Sequence, residues 1–194
     1  MLPKKIQRQA PFKYLSYILQ QKTIHPQKVL LKTQNLKTLN DFQRLLGDLN
    51  WLRPSLSIPS DILQPLFAIL KEDSDPSSSR ELTPETTAAL KIIEKAISEA
   101  QTTYINVQTS LYYIILFPQQ LPMGVIWQSH GVLEWIHLAF HMLHSINPHL
   151  ELIAQLITKG RLQIQQLYGK DPDYFILPML TKEQLLHAEQ LHTS

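Results

Sequence analysis

Six apolar residues, Leu39, Phe42, Leu45, Leu46, Leu49 and Leu52, recur at the spacing of one helical stripe. At about 100° per residue they gather on one side of a helix, the side that must be buried. Thr38 is placed to cap the start, Asp41 favours the positive end of the helix dipole, and Pro54 stops it. Opposite the stripe, Gln43, Gly47 and Trp51 follow one another at i, i+4 and i+8, with Asn40 and Arg44 beside them. A glycine inside a helix costs about 0.8–1 kcal/mol against alanine, so Gly47 calls for a reason. One reason is internal: a neighbouring helix packs close at Gly47 and Trp51 lies under a loop. The other is external: a flat face of amide, backbone and indole, flanked by a cation, suited to lie in a groove.

Charge is distributed unevenly. Through residue 53 there are ten lysines and arginines against Asp41 and Asp48, whereas the remainder holds eight basic and fourteen acidic residues. A basic segment of this kind is the electrostatic footprint of contact with a phosphate backbone, although solvated lysines give the same count. With 44% hydrophobic residues the 194-residue chain can bury a core and is not disordered. The absence of cysteine excludes disulfides and thiolate metal sites. No apolar run approaches the length of a membrane span, and MLPKKIQRQA lacks the apolar stretch of a signal peptide. The chain therefore reads as intracellular and cytoplasmic, with no membrane partner.

Elsewhere the pattern alternates between periods. Residues 11–32 carry short apolar-aromatic runs around a QQKT break, which predicts a β-hairpin. Ser60 is placed to cap a second helix through Ile62, Leu63, Leu66, Phe67 and Leu70, with Pro65 in its first turns. Residues 73–81 read as a flexible polar loop. A third helix follows from Thr83 and Pro84 to about Gln101. Strands are then expected over 110–117, 123–128 and 132–140, a helix over 150–169 weakened by Gly160, a strand over 173–179 and a last helix over 181–191. This β-β-β-α-β-α order implies one mixed sheet with helices laid on it, in an α+β chain.

PFKYLSYILQ, LKTLNDFQRLLGDLNWLRP and GKDPDYFILPMLTKEQL together resemble a betaretroviral reverse transcriptase, including endogenous group K relatives, over nearly the whole chain. The resemblance implies a palm remnant with the primer-grip hairpin over 1–33, a three-helix thumb over 34–101, and a ribonuclease-H-like connection domain over 102–194. It places Phe12, Tyr14, Leu15 and Ser16 in the primer grip, where the family usually has glycine in place of Ser16. It also places Gln43, Gly47 and Trp51, with Asn40 and Arg44, against the minor groove of a template–primer. The groove's degenerate code suits contacts that ignore sequence. The implied partners are an RNA–DNA or DNA duplex and other polymerase subunits, and the implied location is the virion if the chain is part of a Pol polyprotein.

The family's Tyr-x-Asp-Asp motif, which would bind Mg2+ in the palm, is absent from the sequence, so the chain alone is not expected to polymerise or cleave and needs no cofactor of its own. Asp73 with Asp75, and Asp171 with Asp173, sit in turn-like Asp-Pro contexts and read as structural. His130, His137, His141, His144 and His149 cluster in sequence, but at strand-and-loop positions they read as no metal site, and Trp127 and Trp135 read as core. Two other roles fit the same sequence: a retroviral fragment retained as a protein-interaction module, or a relic with no selected role.

Overall fold

The computed structural model describes residues 9–15, 17–26, 36–71, 74–118, 121–139 and 149–178. The chain forms two compact units, one of residues 1–58 and 62–105, the other of residues 59–61 and 106–194.

The first unit combines a small antiparallel sheet with three helices. β1 (Phe12–Tyr14), β2 (Tyr17–Leu19) and β3 (Thr23–Pro26) run in chain order, and β4 (Thr102–Thr103) returns to pair with β3. The expected hairpin is therefore a three-stranded meander plus an added strand. QQKT supplies the β2–β3 turn, where Gln20 N donates to Thr23 O at 2.9 Å. A second, tighter turn lies within PFKYLSYILQ: Tyr14 pairs directly with Tyr17, and Leu15 takes φ 42°.

α1 (Leu39–Leu52) buries the six residues of the apolar stripe. Full burial of each such side chain is worth about 1.5–3 kcal/mol, so the stripe contributes a large part of what holds the unit together. The second helix is shorter than expected. A 3-10 turn (Ser60–Leu63) precedes α2 (Gln64–Ile69), and Pro65 occupies the first turn of α2, where its missing N–H leaves no intrahelical bond unmade. α3 (Pro84–Glu99) starts at the Thr83 cap, whose Oγ1 accepts from Thr86 N at 3.3 Å, and ends two residues earlier than expected. Phe42, Leu46 and Leu49 of α1, Leu66 of α2 and Ile93 of α3 share one core, on which Tyr17 of β2 also packs.

Residues 74–81 form the expected polar loop, tied down by hydrogen bonds that the sequence did not show. Asp75 Oδ1 accepts from Ser77 N at 2.9 Å and Ser77 Oγ at 2.8 Å, closing an Asx turn. Arg80 is buried, and its Nε donates to Ile69 O at 3.0 Å. Arg80 N also donates to Lys37 O at 2.7 Å.

The second unit is built on β5 (Tyr112–Leu116), β6 (Met123–Gln128), β7 (Gly131–Ile136), α4 (His149–Tyr168) and β8 (Tyr174–Ile176). The strand order is β7-β6-β5-β8, antiparallel except for the parallel β5–β8 pair, and this is the mixed sheet expected. The third strand stops at Ile136, and the expected helix over 181–191 lies outside the described residues. α4 covers one face, where buried Tyr113, Ile115 and Ile126 meet Leu152, Leu156 and Ile164. Gly160 answers a specific demand. Tyr113 is wedged between Gly160 and Gly124, both without room for a Cβ, and its hydroxyl donates to Leu156 O at 2.7 Å. Trp127 departs from the core assignment. Strand alternation puts it, with its partner Tyr112, on the face away from α4, and it is 38% exposed.

Candidate nucleic-acid interface

The first half of α1 is fixed by reciprocal capping. Thr38 Oγ1 accepts from Asp41 N at 3.4 Å, while Asp41 Oδ2 accepts from Thr38 N at 3.0 Å and Thr38 Oγ1 at 2.8 Å. The hydroxyl of Thr38, then its backbone N–H, hold the Asp41 carboxyl below its ordinary pKa. The loop completes the cap, since Leu39 N donates to Ser78 O and Asn40 N to Pro76 O, both at 3.0 Å. With these donors satisfied, the N-terminus of α1 is not a phosphate site, and any ligand must meet the flank of the helix.

On that flank Gln43, Arg44, Gly47 and Trp51 are exposed and Asn40 is half-buried. A Cβ built on Gly47 meets nothing within 4 Å, and Trp51 is 57% exposed. The internal explanation for Gly47 and Trp51 therefore fails among the described residues: no neighbouring helix packs at the glycine and no loop covers the indole. What remains is an open row of amide, bare backbone and indole. Just beyond the helix, burial lowers the Arg53 guanidinium to about 10, which leaves it charged at neutral pH.

β1 is a second exposed group in the same unit. Phe12, Tyr14 and Leu15 are 36%, 63% and 61% exposed. Ser16 lies outside the described residues, so the turn is described by Leu15 alone. The sheet is tied to the helical core through Tyr17, whose hydroxyl accepts from Ser55 Oγ at 3.1 Å. The sequence did not single out Tyr17 and Arg80, because their partners are 38 and 11 residues away. Asp75, in contrast, carried a usable signal, the Asp-Pro-Ser order of an Asx turn.

Of the remaining candidates, Asp73 lies outside the described residues. Arg161 grips Asp171 through two hydrogen bonds of 2.8 and 2.9 Å, and this pairing lowers the carboxyl. Asp173 accepts from Leu111 N at 2.7 Å and Lys170 Nζ at 2.9 Å, the first of which chiefly lowers it. His137 is buried, His130 is exposed in a turn, and His149 stacks on Phe117 at 4.4 Å; His141 and His144 lie outside the described residues. Among the described residues no three His, Cys, Asp or Glu converge as a metal site, and no helix is long and apolar enough to cross a membrane.

Comparison with known proteins agrees with the two units. The family model of the reverse transcriptase thumb domain matches residues 26–91, and that of the ERVK-8-like, RNaseH-like domain matches residues 119–194. The Gag-Pro-Pol polyprotein of sheep pulmonary adenomatosis virus is 44% identical over 180 residues, covering 93% of this chain and 10% of the polyprotein. The chain belongs to the betaretroviral Pol family. Similar matches extend to the Gag-Pro-Pol polyproteins of mouse mammary tumor virus (strain BR6), 41% identical over 174 residues, and Mason-Pfizer monkey virus, 41% over 176. These cover 90% and 91% of this chain, and again 10% of each polyprotein. The chain thus spans about a tenth of the length of its curated Pol relatives. Its α1 row lies inside the reverse transcriptase thumb match, and α4 and β8 lie inside the RNaseH-like match.

Proposed function

We propose that this chain is the part of a longer Pol product that holds a template–primer duplex without reading its sequence. The single observation that supports this most is the open row on α1. Gln43 offers donors and an acceptor to groove edges, Gly47 lets backbone approach the sugars, and Trp51 gives apolar surface that remains 57% exposed. Asn40 and Arg44 flank the row, Arg44 with the charge suited to a phosphate. In this proposal Phe12, Tyr14, Leu15 and Ser16 position the primer end as a grip. Residues 1–33, 34–101 and 102–194 serve as palm remnant, thumb and connection domain. The partner is an RNA–DNA or DNA duplex, the nucleotidyl transfer belongs to carboxylates and Mg2+ outside this chain, and the site of action is wherever the Pol product works, cytoplasm or virion.

The test is fluorescence anisotropy of a labelled RNA–DNA hybrid with the full chain. Gln43→Ala combined with Trp51→Ala is expected to weaken binding by about tenfold or more, because the packing of one aromatic side chain on a nucleic acid is worth about 1–3 kcal/mol. Scrambling the hybrid's sequence is expected to change nothing. Unaltered binding by the double variant would defeat the proposal.

A further inference from the structure

The flank of α1 carries one residue that duplex holding does not explain. Asp48 is exposed beside Gly47, one turn after Arg44 and three residues before Trp51. Among the described residues its carboxylate makes no hydrogen bond or ion pair. It is not the cap, a role filled by Asp41. It lies one residue before the last turn of α1, beyond the reach of the capping network at Thr38.

Its position relative to Arg44 suggests a function. At i and i+4 the two side chains project side by side from one helix, about 5–6 Å apart at Cβ. A polyanion lying along this part of the flank meets Arg44 and Asp48 together, and the pair offers it no net charge. We propose that Asp48 is a brake on duplex affinity, offsetting Arg44 opposite the sugar–phosphate backbone. α1 then holds the duplex chiefly through the uncharged contacts of Gln43, Gly47 and Trp51. Such contacts release few counterions and fix no phosphate register, so the helix grips without anchoring. The proposal rests on the duplex-holding function above and names what regulates its strength.

Asp48→Asn, Asp48→Lys and Arg44→Gln in the full chain, titrated with a labelled RNA–DNA hybrid at several salt concentrations, test it. Asp48→Asn is expected to tighten binding about two- to fivefold at low salt, the size of one like-charge repulsion near a solvated surface. Asp48→Lys is expected to tighten it further and to steepen the log–log salt slope by about 0.9, one added phosphate contact. Arg44→Gln is expected to weaken it. Glu99→Gln, which removes an exposed acid from α3, is the control. An equal gain from Glu99→Gln would overturn the brake, because the effect would then belong to net charge. No gain from either Asp48 variant, while Gln43→Ala with Trp51→Ala still weakens binding, would overturn the brake and leave duplex holding intact. Identical binding by all variants, the Gln43 and Trp51 pair included, would overturn both.

Discussion

Gly47→Ala separates what the fold wants at this position from what the proposed ligand wants. The structure leaves the new methyl in open space, with no atom within 4 Å of the built Cβ. No packing penalty then opposes the gain in helix propensity, about 0.8–1 kcal/mol for alanine over glycine inside a helix. For a cooperative unit of this size the gain corresponds to an unfolding midpoint several degrees higher, roughly 4–8 °C per kcal/mol. Against a duplex the same methyl occupies the gap through which backbone approaches the groove. A methyl forced into a close-packed interface costs on the order of 1 kcal/mol, or about fivefold in affinity. The variant should therefore be more stable and a poorer binder. Thermal unfolding followed by circular dichroism reads the first effect, and anisotropy with an RNA–DNA hybrid reads the second. A destabilised variant would show that Gly47 is not in open space. A stabilised variant with unaltered affinity would show that nothing approaches the helix there.

Gly160→Ala should act in the opposite sense. Its Cβ would overlap the buried Tyr113 ring, which Gly124 blocks on the other side at 2.5 Å from a built Cβ. Overpacking and the threatened Tyr113–Leu156 hydrogen bond outweigh the helix-propensity gain, for a net loss of about 2–4 kcal/mol by urea denaturation. In a Tyr113→Leu background the same substitution should be close to neutral, and equal losses in both backgrounds would refute the wedge. Leu15→Asn should stabilise the first unit by about 1 kcal/mol, since asparagine tolerates the φ of 42° that leucine resists, and an unchanged midpoint would argue against that turn. The Asp41 cap is pH-dependent. Its pKa is depressed in the fold, so its contribution is present above the ordinary carboxylate pKa and is lost as pH falls through the lower folded value. Asp41→Asn should therefore lower the midpoint at neutral pH, and the loss should shrink as the pH falls through the depressed carboxyl pKa, whereas a loss that does not change with pH would contradict the assignment.

The parts of the fold that were legible in the sequence are those written in local periodicity. The α1 stripe, the α3 start at Thr83 and the order of strands around α4 could be read because each repeats at its own period over enough residues. The β1–β2 turn was hidden because Leu15 and Ser16 interrupt an apolar-aromatic run without glycine or asparagine to mark it. Order in residues 74–81 depends on Lys37, Leu39, Asn40 and Ile69, partners that no local window contains. Gly160 was visible as a weak point in a helix, but its cause, Tyr113, lies on a strand 47 positions earlier by the numbering. At the candidate interface the wheel placed Gln43, Gly47 and Trp51 on one face, and the structure leaves that face exposed. Only the structure could exclude internal packing of Gly47 and Trp51 among the described residues, because both uses give the same sequence.

The chain has three tryptophans, so Trp127→Phe with Trp135→Phe leaves Trp51 as the sole indole emitter. Titrating this variant with an RNA–DNA hybrid should shift Trp51 emission to the blue and protect it from acrylamide, in step with the anisotropy of the labelled strand. Hybrid that binds while Trp51 emission and quenching stay unchanged would place the duplex elsewhere and contradict the account.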